Sequence, residues 1–531
     1  MTPQSRFEIL LVLLMIAVVL ETLASRLRLP RASVLMTGGI AIALVPGLPG
    51  IEFDPDLVMV LFLPPLLLAS AYFTVWTDFR ANLRIIFQLA TGAVVLTTVV
   101  VAVVAHWLKP ELPWSVCFAL GAILSPPDAV AAKAVLKRFP LPRRVVVLLE
   151  GESLVNDASG LVLLQLAVTA AMTGTFGIGQ ASMTFLYVAM AGIGIGLMLG
   201  YLSASIARLL ADARLTVIWT FLLAWASYII AEAAGASGVL STVACGLILG
   251  RHQHRTWSAA ARTQARAVWD VAEFVMESLL FIIIGLSLRG VVERAGGQWR
   301  TIVDLLPAIA AILAALILSR AAWIFPATYI PRALVPSLRR RDPYPPATIP
   351  ALMSWAGMRG VVSLAAALGL PADLPGRDFV LIVTFGVIAG TIFVLGGTLT
   401  PLARAIAGRD FVLEQAPTLT ESDLRLRIAE AELRAVRDHS HNLNGAHADR
   451  IIAQYEWRAK VARDQGANSN RNDHVGGEHA RAVLSAVTAA RKELLDLFQE
   501  GLVHDSLLHQ FEEELDLEEL SARKITARGD Y

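Results

Sequence analysis

Charge is scarce in this chain. Only 17% of its 531 residues are Asp, Glu, Lys or Arg, against 56% hydrophobic, and mean hydropathy is +0.60. An ordinary soluble domain has about a quarter of its residues charged, so the composition points to a polytopic membrane protein. Cysteine is scarcer still. Cys117 and Cys245 both sit in apolar stretches, which excludes a disulfide framework or a zinc cluster and leaves two inert free thiols. No G-x-x-x-x-G-K-[ST] is present, so nothing marks a nucleotide-driven pump, and any driving force is a gradient. The absence of H-E-x-x-H and G-x-S-x-G leaves an intramembrane hydrolase without a metal set or nucleophile. No cofactor is implied.

What charge there is divides unevenly. Residues 410–531 hold 23 Asp+Glu against 15 Lys+Arg, a net of −8, so the remainder is near +9. The basic excess belongs to loops, and nucleic acid is not a partner. Apolar stretches of spanning length recur near 7–24, 33–49, 56–74, 84–106, 112–137, 145–172, 182–207, 215–234, 236–250, 267–288, 301–325, 348–369 and 379–403, about thirteen in all. The first follows only Arg6 and has no cleavage site, so it reads as a retained helix. With the N-terminus outside, the inner loops gather about twenty Lys/Arg and the outer ones about five. The outer loop with Arg289, Arg294 and Arg300 fits worst. That bias places the C-terminus in the cytoplasm.

Against this background, Glu150-Gly151-Glu152-Ser153-Leu154-Val155-Asn156-Asp157 stands out. It puts three carboxylates inside an apolar segment, where charge is costly unless it faces a partner or a watery cavity. At helical spacing Glu150, Ser153 and Asp157 share one face, with Glu152 and Asn156 stacked beside it. Carboxylate, hydroxyl and amide are oxygen ligands for a small hard cation. The same acids would also serve a structural ion-pair network.

Two segments are interrupted. Ser125-Pro126-Pro127-Asp128 removes backbone donors in the fifth, and Gly357-Met358-Arg359-Gly360 puts two glycines and a charge in the twelfth. If the seventh is a linker, the fifth and twelfth correspond in two inverted halves, the pattern of a transporter site between repeats. Helical rise puts Asp157 about 20 Å, Arg359 about 16 Å and Asp128 roughly 20–25 Å from their segment ends. All three fall near the middle of a core about 30 Å thick. After Arg404 the chain turns polar, with helical patches divided by a loop-like insert from Gln465 to Gly477 and a helix N-cap at Thr420 with Asp423. Seven of the ten histidines lie here, so the tail is a pH-sensing or dimer-contact element, or simply a solvated helical one.

These motifs resemble those of the first monovalent cation:proton antiporter family, the sodium–proton exchangers, in its bacterial form with a cytoplasmic tail. Glu150 to Asp157 matches the family's E-G-E-S-L-x-N-D, Ser125-Pro-Pro-Asp128 its S-P-T-D and Gly357-Met-Arg-Gly360 its G-L-R-G. Leu63-Pro-Pro-Leu-Leu67 and Phe281-Ile-Ile-Ile-Gly285 match two weaker patterns. The resemblance spans residues 7 to about 405. It implies an all-α fold of about thirteen transmembrane helices in two inverted repeats, with an antiporter domain at 1–408 and a cytoplasmic helical tail at 409–531. It also implies a homodimer in the inner membrane.

By the same resemblance Asp157 takes either Na⁺ or H⁺, with Asn156, Ser153 and Asp128 completing the cation and proton site. The Asn156–Asp157 pair implies electroneutral one-for-one exchange, and Glu152 pairs with Arg359 to bridge two helices. Two departures bear on ion preference. Pro127 stands where a threonine is expected, leaving only a backbone carbonyl, and Ala69 stands where some relatives carry a glutamate. Glu277 is a candidate substitute, although a helix-packing role suits it too. Competition for one carboxylate couples the fluxes, because a bare buried charge crosses reluctantly. Arg359 must then be occupied by Glu152. Li⁺ and K⁺ are further candidate ions. A K⁺/H⁺ antiporter, a cation channel and a solute symporter are the rivals, and only an antiporter needs obligatory proton counterflow.

Overall fold

A computed structural model describes residues 3–27, 29–45, 55–128, 132, 136, 142–174, 178–207, 209–210, 212–294, 299–407, 421–440, 445–467, 473–499 and 505–526. Among these every regular element is helical. The chain divides into two compact units, Met1–Leu413 and Glu414–Tyr531. The domain boundary expected at 408/409 falls outside the described residues, as do the N-cap at Thr420 and most of the resumed helix after Asp128, of which Ala132 is helical and buried.

Each expected apolar stretch is represented by helix: α1 (Pro3–Leu27), α2 (Arg31–Ala43), α3 (Pro55–Phe73), α4 (Trp76–Leu108), α5 (Trp114–Leu124), α6 (Arg143–Thr173), α7 (Ile178–Ile206), α8 (Ala213–Ala233), α9 (Gly238–Thr256), α10 (Ala259–Arg294), α11 (Trp299–Leu334), the half-helices α12 (Thr348–Trp355) and α13 (Val361–Leu368), and α14 (Arg377–Ala405). Seven of them, α4, α6, α7, α8, α10, α11 and α14, are long and apolar enough to cross a bilayer by length and composition. Helix α10 starts before and ends beyond the 267–288 expected, so Arg289 and Arg294 continue a helix rather than sit in a loop. Its 36 residues span about 54 Å, well over the bilayer's hydrocarbon thickness, so it tilts or projects.

Apolar side chains around this bundle form a core that gathers α2, α3, α6, α10 and α14. Helices α2 and α10 approach backbone to backbone, because a Cβ at Gly39 would meet Ile282 O and one at Gly285 would meet Met36 O. A second core joins α5 to the C-terminal half of α4 and the N-terminal halves of α11 and α14. A third holds α8 to α10, where Trp269 stacks on Phe221 at 3.9 Å and donates to Thr220 Oγ1 at 3.0 Å. Cys117 and Cys245 are buried free thiols.

The second unit contains α15 (Glu421–Ser440), α16 (Gly445–Ala467), α17 (Asp473–Gln499) and α18 (Asp505–Thr526). Helix α15 pairs with α16 through Ala429 and Ala459, and Arg437–Glu456 and Arg463–Glu430 ion pairs flank them at 2.5 and 3.1 Å. Helices α16 and α17 extend into both ends of the Gln465–Gly477 insert expected to be loop. The side chains of the seven tail histidines lie outside the described residues.

Candidate functional site

Two helices break where they meet. Prolines 126 and 127 end α5 at Leu124, and the glycines at 357 and 360 separate α12 from α13. A helix end leaves its last carbonyls without partners, and here buried donors take them. Arg359 donates through Nε to Leu124 O at 2.6 Å and through Nη2 to Ser125 O at 3.3 Å, and its Nη1 reaches Gly357 O. Ser363 Oγ donates to Ile123 O at 2.7 Å. The two unwound stretches join directly, Asp128 N donating to Met358 O at 2.7 Å. Gly360 sits so close that a Cβ there would occupy the Asp128 carboxylate. That carboxylate therefore lies at the start of α13, where the helix dipole favours negative charge.

Helix α6 passes this crossing. Asn156, fully buried, donates through Nδ2 to Pro127 O at 2.7 Å, so the carbonyl that replaces the expected threonine hydroxyl is held by the neighbouring amide. Its Oδ1 is buried and, among the described residues, without a hydrogen-bond partner. Asp157, 8% exposed, turns the other way. With Ser153, Asp128 and Glu277 it lines a pocket of about 860 Å³, walled by α3 (Leu63, Leu66, Leu67, Ser70), α10 and the start of α13. Asn156 does not line that pocket. Ala69 does not either; its neighbour Ser70 does. Glu277 also approaches Arg31 at 3.4 Å, and Arg31 pairs with Glu21 at 2.9 Å.

The expected Glu152–Arg359 bridge is not formed. Glu152 takes Arg320 of α11 in a two-pronged pair, 2.5 and 2.8 Å, with side chains 1% and 4% exposed. The fork geometry of a guanidinium suits such a carboxylate. Arg320 Nε also donates to Met353 O at 3.0 Å, holding the end of α12. Both guanidiniums flank Gly357, since a Cβ there would lie 2.8 Å from Arg320 Cδ and 3.1 Å from Arg359 Nη1. Among the described residues Arg359 makes no ion pair. Broken helices expose more carbonyl oxygen than the paired-charge expectation allowed for, and Arg359 goes to it. The signal for Arg320 was in the sequence, a lone charge amid Leu305 to Ala322. Thr391, whose Oγ1 accepts from Arg359 N at 3.0 Å, carried none.

The family model described as "Sodium/hydrogen exchanger, transmembrane" matches residues 10–405. The chain belongs to the sodium/hydrogen exchanger family. An exchanger of Escherichia coli, the uncharacterized Na⁺/H⁺ exchanger YjcE, is 32% identical over 88% of this chain and 89% of its own. A Bacillus pumilus protein named as a sodium, potassium, lithium and rubidium/H⁺ antiporter is 27% identical over 90% of this chain and 72% of its own. The solved sodium proton antiporter MjNhaP1 of Methanocaldococcus jannaschii shares the fold, with TM-score 0.60, 18% identity and coverage of 76% of this exchanger and 99% of that chain. The exchanger is thus an all-helical, multi-pass membrane transporter.

Proposed function

We propose that this exchanger moves Na⁺ one way and H⁺ the other, one for one, by letting the two compete for Asp157. The observation that carries the reading is the pocket itself. It holds Asp157 and Asp128 with the Ser153 hydroxyl, walled by the crossing of two broken helices. A bound cation or proton removes the unpaired charge, and only then does the site cross between the two faces at low cost. Asp128 is held by Gly360 and the start of α13, and acts as a fixed ligand. Asn156 acts as a strut between α6 and the unwound end of α5. One titrating carboxylate exchanging one H⁺ for one Na⁺ is electroneutral.

The access step is a movement of the inverted halves against each other about this point. Residues 1–408 form the antiporter domain and 409–531 a cytoplasmic helical tail. The chain sits as a homodimer in the inner membrane with its N-terminus outside, as the Lys/Arg distribution supports. The broad ion range in the name of the Bacillus pumilus relative makes Li⁺ and K⁺ the natural companions of Na⁺ in the test. The experiment is exchange in sealed proteoliposomes with a luminal pH dye, comparing wild type with Asp157→Asn. Loss of exchange in a folded variant supports the reading, and full exchange removes Asp157 from it.

A further inference from the structure

Behind the exchange helix lies a second, larger void. It is an open slot of about 1000 Å³, counted with its mouth, between α4 and α6 on one side and α7 and α9 on the other. Its α6 wall is Val155, Ala158 and Val162, which bracket Asp157 in sequence but face away from its pocket. The lining is almost wholly apolar. Ser159, one of its two hydroxyl residues, turns its Oγ back to Val155 O of its own helix at 3.5 Å. A slot of this composition offers water no hydrogen-bond partners, and an apolar chain seated in it gains contacts with the lining.

The void is a slot with two different ends. Along α4 its wall runs from Trp76 to Thr91, about 22 Å by helical rise, the reach of an extended acyl chain. At the Trp76 end Arg251 stacks its guanidinium over the indole, 5.5 Å from the ring centre. Arg251 is exposed, and so is Arg80 one turn along α4. Among the described residues neither makes an ion pair. Helix α7 flanks the slot without closing it, and its far face is bare apolar surface, Met183 being 72% exposed and Met190 61%. A bilayer chain therefore has lateral access.

We infer that this slot binds one anionic phospholipid, an acyl chain between α4/α6 and α7/α9 and the phosphate on Arg251. The chain packs against the back of α6, on Val155, Ala158 and Val162. Its occupancy accordingly sets the exchange rate, a consequence that rests on Asp157 of α6 being the exchange group. Lipid binding itself does not depend on that reading and is measured separately.

The test incubates the purified full chain with long-chain phosphatidylglycerol, with phosphatidylcholine of the same chains, or with glycerol phosphate, and counts retained lipid by native mass spectrometry. Wild type is expected to keep one phosphatidylglycerol and no glycerol phosphate. Arg251→Ala lowers the preference for phosphatidylglycerol over phosphatidylcholine about fivefold, the worth of one basic side chain at an anionic surface. Ala189→Phe, which fills the slot from α7, abolishes retention of both lipids. A melting curve checks its fold. Brominated-chain phosphatidylglycerol provides a readout free of that variant, since it quenches Trp76, seen as the difference between wild type and Trp76→Phe. In vesicles, exchange differs with and without phosphatidylglycerol for wild type and not for Ala189→Phe. Equal lipid retention in wild type and folded Ala189→Phe, no quenching of Trp76, or glycerol phosphate retained as well as the lipid would overturn the inference.

Discussion

At the scale of single residues, the site depends on which charge takes which partner. Glu152 and Arg320 form a buried pair, and removing one partner from such a pair costs about 3–5 kcal/mol because the other is stranded. Arg320→Ala and Glu152→Ala should each lower the melting temperature in detergent, and the double variant should cost well under their sum. The coupling of Glu152 to Arg359 in the same cycle should be smaller, and a larger one would reinstate the expected bridge. Asn156→Ala removes the strut to Pro127 O. Exchange should fall while the pocket carboxylates stay in place. The sequence made the site carboxylates legible because charge within an apolar run is expensive and therefore conspicuous. It hid the pairing, because guanidiniums choose between carboxylates and freed carbonyls only once the helices are placed.

Among the elements, the crossing of the broken helices carries the prediction. Gly360 leaves room for the Asp128 carboxylate at the start of α13. Gly360→Ala should displace that carboxylate at a strain of about 1–3 kcal/mol. The apparent affinity for Na⁺ should weaken about tenfold, and the melting temperature should fall by only a few degrees. Unaltered Na⁺ dependence would show that Asp128 is not a ligand. The breaks themselves were readable from Pro126, Pro127 and the two glycines, which punctuate a helix wherever they fall. Their meeting through Asp128 N and Met358 O was legible only indirectly, from matching positions, similar depth and the family resemblance. Helix ends were less readable. Polar extensions such as those of α10 carry no apolar signal to mark them.

For the whole molecule, the link between α6 and its neighbours is electrostatic at the Arg144 end. Asp342 takes Arg144 at 2.6 and 2.8 Å and Arg332 at 2.6 Å, and Arg144 Nε reaches Asn82 Oδ1 at 3.1 Å. Burial alone would push the Asp342 carboxyl up, but Arg144 and then Arg332 outweigh it and hold it below its ordinary 3.8. A carboxyl depressed in the folded state contributes stability above its unfolded value and loses it as pH falls through the folded one. Asp342→Asn should therefore melt lower than wild type at neutral pH, and the gap should close below pH 3.8. A gap independent of pH would mean that Asp342 acts by packing alone. The account as a whole rests on a single carboxylate shared by two ions, and one measurement tests it most directly. Purified wild type and Asp157→Asn are sealed in liposomes of equal protein content, and Na⁺ is added outside while internal pH is followed. Wild type should release one internal proton for each Na⁺ that enters, without building a membrane potential, and Asp157→Asn should give neither flux. Sodium entry without proton exit, or wild-type exchange by Asp157→Asn, would contradict it.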